Sequence, residues 1–251
     1  MNALHEHHKA VATAAALCYT LENFAERGRR MLKYKCLVLD HDDTVMNSTK
    51  HVHHPSFLVA LKELRPGLTM DLETYFRINF DPGFLPYCEN VLHFTPEEFD
   101  RELEIWRAYV KEHIPEVFPG VAAIIREQMK RGGEVCVISH SFKDNILRDY
   151  AANGLPAPRL VYGWELPRER RKPDPWALNE IMRELDLAPS DLLMVDDLKP
   201  GYDMARSVGV PFAAAGWAYD VPEIRQFLQE NCPLYFDAPD ALYRYLFDGF
   251  A

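Results

Sequence analysis

Residues 35–45 read Lys35-Cys36-Leu37-Val38-Leu39-Asp40-His41-Asp42-Asp43-Thr44-Val45, an apolar run that ends in three carboxylates. The run from Cys36 to Leu39 suits a β-strand that is covered on both faces, as in a parallel sheet. Ligands of open α/β sheets bind beyond the carboxyl ends of such strands, which is where Asp40 lies. In an extended segment Asp40 and Asp42 point to one side, about 6 to 7 Å apart along the backbone. Two carboxylates in one small site repel each other, so either a cation lies between them or one of them is protonated.

The rest of the chain alternates between strand and helix patterns. Further strands are predicted over residues 134–138, 159–162, 192–195, 212–215 and 234–237. Strands that alternate with helices form parallel sheets with right-handed crossovers. We therefore predict an α/β fold with a three-layer, Rossmann-like parallel sheet.

Between the first and second strands the sequence has only helical spacing. Thr95-Pro96-Glu97-Glu98, for example, combines an N-cap residue, a proline at the first helical position and an acidic first turn. Residues 47–117 are predicted to form an all-helical domain, inserted into an α/β core of residues 31–46 and 118–251. The turn-rich stretch from Asp81 to Tyr87 is the predicted specificity loop of this insert.

Composition restricts the partners. A net charge of -10 disfavours nucleic acid and anionic membranes. The cysteines are odd in number and widely spaced, which favours a reducing cytoplasm without structural disulfides. Residues 1–30 are interpreted as a helical extension or an upstream start, although the apolar run 10–21 is also compatible with a short signal peptide. We expect a monomer or a weak homodimer.

Polar residues follow three later strands and meet Asp40 at the same edge of the predicted sheet. They are Ser139 with His140 and Ser141, Lys172 in Lys-Pro-x-Pro, and Asp196-Asp197-x3-Gly201. With Asp40-His41-Asp42-Asp43-Thr44, these segments resemble the four ordered motifs of haloacid dehalogenase-like hydrolases. The helical insert and Phe118-Pro119-Gly120 resemble the branch of phosphoglycolate phosphatases and β-phosphoglucomutases, in which the insert is a cap.

The resemblance implies a magnesium site and a phosphate site. Mg²⁺ prefers oxygen ligands, and the expected ligands are Asp40, Asp197, Asp196 and, through its backbone carbonyl, Asp42. The phosphate would be bound by Lys172 and Ser139, with His140, Asp43 and Thr44 as further candidates. Asp43 and Thr44 are also typical turn residues, and His140 can be a neutral neighbour of Ser139.

The expected function is a magnesium-dependent phosphatase for a small phosphorylated metabolite. Asp40 would attack phosphorus to form an aspartyl phosphate, while Asp42, held protonated, would donate a proton to the leaving group. A phosphomutase and a non-catalytic binding protein are the alternatives. A dehalogenase is disfavoured because, by resemblance, dehalogenases lack the second acid.

Several other polar residues have competing interpretations. Lys199 is the rival to Lys172 for the phosphate, and Asp203 is interpreted as a solvated helix residue. The run His51-Val52-His53-His54 suggests a metal site, but histidines of a flexible linker are the preferred interpretation. Arg168, Arg170 and Arg171 are expected in a solvated loop, from which one may reach the cap.

Overall fold

The computed structural model describes residues 32–248, so the predicted N-terminal extension lies outside it. Six parallel strands form one sheet in the order β3-β2-β1-β4-β5-β6. Their bounds are β1 Cys36–Leu39, β2 Glu134–Ile138, β3 Val161–Tyr162, β4 Leu192–Asp196, β5 Phe212–Ala215 and β6 Leu234–Phe236. The predicted α/β fold with a parallel sheet is confirmed. β3 is shorter than predicted, since it is an edge strand that pairs only with β2.

Helices account for most of the remaining described residues. Four lie between β1 and Gly120: α1 His54–Leu64, α2 Leu72–Phe80, α3 Phe84–Asn90 and α4 Pro96–Glu112. Six follow Gly120: α5 Val121–Lys130, α6 Lys143–Ala152, α7 Trp176–Leu185, α8 Lys199–Ser207, α9 Pro222–Asn231 and α10 Pro239–Phe247. None of these described helices is long and apolar enough to cross a membrane.

The sheet is covered on both faces because alternate strand residues point to opposite sides. In β1, Leu37 and Leu39 join a core cluster with α5, α6 and α10. Cys36 and Val38 join the cluster on the other face, with α7, α8 and α9. This produces the predicted three layers, and it explains why β1 is uniformly apolar.

Helices α1 to α4, hereafter the cap, have an apolar cluster of their own. Its members include Phe57, Leu61, Tyr75, Ile78 and Ile105. The predicted N-cap at Thr95 is part of a full capping box with Glu98. The domain boundaries given above stay a prediction.

The expectation of a loop from Asp81 to Tyr87 is wrong for most of that stretch. Gly83, at a positive φ of 100°, turns the chain, and α3 begins directly after it at Phe84. The helix forms despite its proline because Pro86 lies in the first turn, where a missing N–H is tolerated. Cys88 of α3 is fully buried in the cap cluster.

Exposed ion pairs and aromatic contacts connect the cap with the α/β core. Arg107 pairs with Asp144 at 3.0 Å, and Arg168 pairs with Glu89 at 2.6 Å, so one arginine of the predicted solvated loop does reach the cap. Exposed pairs of this kind contribute only about 0–1 kcal/mol each. The rings of Phe76 and Tyr219 stack with centroids 4.0 Å apart.

Candidate active site

Three buried aspartates from two strand ends form the centre of the site. Asp40 follows β1, Asp196 ends β4 and Asp197 follows it. One carboxylate oxygen from each lies within 4.8 Å of the others. Such a set of hard oxygen donors fits Mg²⁺, whose ligands are carboxylates and water. The donor set of this site therefore fits a divalent ion of that kind.

Lys172 lies between two of these acids. Its Nζ donates to Asp40 Oδ1 at 2.8 Å and to Asp196 Oδ2 at 2.7 Å. Burial alone would lower the pKa of Lys172, but the charges of Asp196 and Asp40 raise it above its ordinary value. Lys172 is therefore cationic at neutral pH.

The pKa of Asp40 is raised to about 7 by burial and by the charges of Asp196 and Asp42, although Lys172 opposes the rise. Burial and the neighbouring acids also raise the pKa of Asp197 well above its ordinary value. Without a cation, three carboxylates share the single positive charge of Lys172, and the raised pKa values of Asp40 and Asp197 reflect the cost of this excess negative charge. This excess charge is a second reason to expect a divalent ion here.

Gly201 explains the spacing of the Asp196-Asp197-x3-Gly201 motif. A Cβ atom at this position would lie 2.1 Å from Asp196 Oδ2, which no packing tolerates. The first turn of α8 can approach the carboxylate because residue 201 has no side chain. Leu198 N also donates to Asp196 Oδ1 at 2.8 Å, which fixes the orientation of the acid.

Thr44 and Asp43 are both oriented by the turn after β1. Thr44 Oγ1 donates to Asp197 Oδ1 at 3.2 Å, so this hydroxyl holds one of the clustered acids. Asp43 has a positive φ of 59°, a conformation in which Asp is enriched. Its Oδ1 accepts from Thr49 N at 3.2 Å. Both residues thus have a structural partner in addition to their predicted contact with phosphate.

The Asp42 carboxylate is not one of the clustered acids. Its Oδ1 accepts from Ser48 Oγ at 2.7 Å and contacts His53 Nε2 at 2.7 Å. Its Oδ2 accepts from Ser141 Oγ at 2.7 Å and from Ser139 Oγ at 3.3 Å. The side chain therefore faces the cap linker and the loop after β2. The predicted metal contact through its backbone carbonyl stays a prediction.

The surroundings of Asp42 favour its ionised form and not the protonated acid expected from the sequence. Burial would raise the pKa of Asp42, but the charge of His53 and the hydrogen bonds from His53 and Ser141 hold that pKa well below its usual range. This effect depends on tertiary structure, because His53 belongs to the turn Thr49–His53 that leads into the cap and not to strand β1.

His53 is the functional candidate that sequence reasoning missed. It ends one π-helical turn, Thr49–His53, and its side chain is only 14% exposed. Trp106 Nε1 donates to His53 Nδ1 at 2.9 Å. Because an indole N–H can only donate, Nδ1 must accept, and Nε2 carries the hydrogen that faces Asp42. The proton of this pair is thus held on His53.

Two effects act on the charge of His53. Burial lowers its pKa, but the Asp42 carboxylate outweighs burial and raises the pKa above its ordinary value. The Trp106 hydrogen bond acts in the opposite direction, because a second proton at Nδ1 would displace the indole. In both charge states Nε2 keeps its proton toward Asp42. The neighbouring His54 contacts Met70 O at 2.9 Å and has no part in the site.

His140 and Ser139 lie at the end of β2 as predicted. His140 Nε2 contacts the backbone carbonyl of Lys172 at 3.2 Å. Burial and the charge of Lys172 lower the pKa of His140 to about 3, so the imidazole is neutral. Ser139 Oγ also accepts from Ser141 N at 3.0 Å. To donate to a phosphate as predicted, the Ser139 hydroxyl would have to give up its weak hydrogen bond to Asp42.

The competing candidates lie away from the acids. Lys199 Nζ pairs with Asp81 Oδ2 at 3.1 Å on the surface, so Lys172 is the lysine of this site. Asp203 is exposed on α8, as predicted.

A cavity of about 150 Å³ lies between the cap and the carboxyl edge of the sheet. Its floor contains Asp40, Asp42, Lys172 and Asp197. Its remaining wall is rich in aromatic rings, contributed by Tyr75, Phe76, Phe84, Trp106, Phe142 and Trp164, and it includes Glu102. The acids therefore face a cavity whose lining comes from both the cap and the carboxyl edge of the sheet.

The structure thus has a Rossmann-like parallel sheet with acids and a lysine at its carboxyl edge, covered by a helical cap, which is the arrangement of a Rossmann-like enzyme with a capped active site. The chain belongs to the haloacid dehalogenase-like hydrolase family, whose family model matches residues 37–215. The resemblance derived from the four motifs is thereby confirmed.

Curated relatives lie in the branch expected from the sequence. Over 144 residues the chain is 28% identical to a phosphoglycolate phosphatase of Mesorhizobium japonicum, a match that covers 56% of this chain and 63% of that one. Phosphoglycolate phosphatase 1 of Pseudomonas aeruginosa is 30% identical over 49% of this chain and 46% of its own. The matched segment is thus less than two thirds of either relative's length.

Solved structures show the same fold at low identity. A predicted phosphoglycolate phosphatase from Haemophilus somnus has a TM-score of 0.68 at 19% identity, covering 86% of this chain and 99% of that one. CbbY from Rhodobacter sphaeroides, solved in complex with phosphate, has a TM-score of 0.66 at 20% identity, covering 83% and 96%.

Proposed function

We propose that this protein is a magnesium-dependent phosphatase that hydrolyses a small phosphate monoester through an aspartyl phosphate on Asp40. One observation carries the proposal. Asp40, Lys172, Asp196 and Asp197 come from distant parts of the chain, yet their charged atoms meet in one buried cluster, of which all but Asp196 line the cavity. The relatives named phosphoglycolate phosphatase support the same reaction type.

Asp40, Asp197 and Asp196 would hold the ion. When bound, Mg²⁺ supplies positive charge that neutralises a phosphoryl oxygen and lowers the repulsion between two anions. Near a protein surface, like charges 4 Å apart repel by about 4 kcal/mol, so a carboxylate cannot approach a phosphate monoester unaided. Lys172 adds a second fixed positive charge beside the attacking oxygen of Asp40.

Asp40 is the nucleophile in this mechanism because its carboxylate lies at the cavity floor and is oriented by Lys172. Attack on phosphorus splits one difficult displacement into two easier ones. The products of the first step are the aspartyl phosphate and the free alcohol, and water then releases phosphate in the second step.

Asp42 and His53 together supply the proton in our proposal. His53 Nε2 holds that proton 2.7 Å from Asp42, and Asp42 lies two residues from the nucleophile. As negative charge develops on the leaving oxygen, Asp42 receives the Nε2 proton of cationic His53 and passes it to that oxygen, so Asp42 is again ionised and His53 becomes neutral. In the second step Asp42 accepts a proton from the attacking water. Asp42 then returns this proton to His53 Nε2, which restores the starting charge of both residues.

The cap excludes bulk water from the cavity and restricts the substrate to small molecules. We place the reaction in a reducing cytoplasm, which is supported by the buried free thiols of Cys36, Cys88, Cys136 and Cys232.

Phosphate release from p-nitrophenyl phosphate tests the proposal. Wild type should release phosphate with Mg²⁺ and not with EDTA, and Asp40→Asn should release none while its unfolding curve stays cooperative. Asp203→Asn is the matched control, since it removes an exposed carboxylate outside the site. Equal rates for wild type and Asp40→Asn would overturn the assignment of the nucleophile.

A further inference from the structure

Glu102 is a buried acid that the proposed mechanism does not use. It lies on α4, one helical turn before Trp106, so both side chains are on the same face of the helix. The residue is only 8% exposed, and its side chain lines the cavity. Among residues 32–248, no hydrogen bond or ion pair reaches its carboxylate. A buried carboxylate without a partner is costly, and because this one faces the cavity, a bound ligand can supply the missing partner.

The surroundings of Glu102 are aromatic. Tyr75 is close enough for the Glu102 charge to contribute to the rise of the Tyr75 pKa, after the larger effect of burial. Tyr75 and Phe84 contact each other edge to face, with ring centroids 6.5 Å apart. Trp106 packs against Phe142 at 5.8 Å. Aromatic faces with a carboxylate nearby are the surroundings in which proteins bind ammonium groups.

The cavity has no cation left for an anionic leaving group. Among the described residues that line it, Lys172 is the only lysine or arginine, and its Nζ already bonds to Asp40 and Asp196. His53 faces Asp42, and His140 is neutral. A carboxylate or a second phosphate on the substrate would therefore approach Glu102 without a counter-ion.

We infer that the leaving alcohol of the substrate carries a positively charged nitrogen, and that Glu102 and the aromatic rings of the cap bind this group. This inference rests on the proposed phosphatase function. The substrate class is the phosphate monoester of a small amino alcohol. Although the relatives are named phosphoglycolate phosphatase, we therefore infer that the substrate of this protein carries a cationic nitrogen instead of the carboxylate of phosphoglycolate.

A pair of esters with the same shape and different charge isolates the effect. Phosphocholine and 3,3-dimethylbutyl phosphate differ by a quaternary nitrogen in place of a carbon. The wild-type kcat/KM with Mg²⁺ should be about 10- to 30-fold higher for the charged ester. This is the factor expected when a desolvated cation binds against aromatic rings and a carboxylate. Phosphoglycolate and glycerol phosphate, which carry an acid and neutral hydroxyls, should both be poorer substrates than phosphocholine.

Glu102→Gln should reduce the preference for phosphocholine over the neutral ester to about threefold or less, because the aromatic rings remain. Glu104→Gln, an exposed acid on the same helix, should keep the wild-type preference. Equal rates for the two esters in wild type would overturn the inference, as would a preference unchanged by Glu102→Gln or a higher kcat/KM for phosphoglycolate or glycerol phosphate.

Two further measurements separate this inference from the proposed function. If wild type hydrolyses p-nitrophenyl phosphate but shows no charge preference, only the inference fails. If it hydrolyses no ester, the proposed function fails, and calorimetric binding of the two esters to Asp40→Asn then decides the inference. Tighter binding of phosphocholine supports it, and equal binding refutes it.

Discussion

Replacing Glu102 by glutamine should stabilise the protein, and the gain should depend on pH. Burial raises the pKa of Glu102 from 4.5 to about 7, although the charge of His53 opposes the rise. The native state thus binds this proton more tightly than the unfolded chain, so wild type loses stability as pH rises from about 4.5 to about 7. At about 1.4 kcal/mol per pKa unit, the full loss is about 3 kcal/mol.

Glutamine has the shape of the protonated acid and does not ionise. The free energy of unfolding of Glu102→Gln should therefore exceed that of wild type by about 3 kcal/mol at pH 8, and by less than about 1 kcal/mol at pH 5. Urea unfolding without Mg²⁺ measures both values, with Glu104→Gln as the exposed control. The other ionisable groups near Glu102 are His53, Tyr75 and Cys88, which are the same in both proteins.

A difference of zero at pH 8 would refute this reasoning, since it would mean that Glu102 has a partner or is solvated. An equal gain at pH 5 and pH 8 would also contradict it, because the gain would then come from packing and not from charge. A gain in stability on removing an acid from a cavity is the expected signature of a residue kept for binding.

Three other predictions concern the floor of the site and the proton relay. Lys172→Met should lower the free energy of unfolding, measured by urea denaturation, by about 3–5 kcal/mol, because Asp40 and Asp196 lose their buried partner. A loss below about 1 kcal/mol would contradict the ion pairs. His53→Gln should lower kcat about 10²-fold for an alkyl phosphate, because the alkoxide that leaves needs a proton. For p-nitrophenyl phosphate the loss should be much smaller, and equal losses for the two esters would exclude the relay. Mg²⁺ at 100 times its Kd should raise the free energy of unfolding by about 2.7 kcal/mol in calorimetry, and an Asp197→Asn variant should lose most of that gain.

Residues at strand ends could be predicted from the sequence. Asp40, Ser139 and Asp196 each follow an apolar run, and parallel strands bring their carboxyl ends to one edge, so their proximity follows from topology. Gly201 could be predicted from motif spacing, and its physical role is the close approach to Asp196.

Residues of the cap could not be predicted in the same way. His53 and Glu102 lie on helical segments whose positions over the sheet depend on how the cap packs, and no local pattern marks those contacts. The ionised state of Asp42 depends on His53 and was missed for that reason. Helix α3 was missed because Pro82, Gly83 and Pro86 indicate a turn, whereas packing of Cys88 in the cap cluster favours a helix.

The central claim is that Asp40 forms the bond to phosphorus, and a rapid-quench experiment on Asp42→Ala tests it most directly. Nitrophenolate needs no proton to leave, but the second step would lack its base, so phosphate should accumulate on the enzyme. We predict a burst of nitrophenolate equal to the enzyme concentration, with reductive trapping of the acyl phosphate at residue 40. A burst with the phosphate on another residue, or steady release of free phosphate with residue 40 unmodified, would contradict the account.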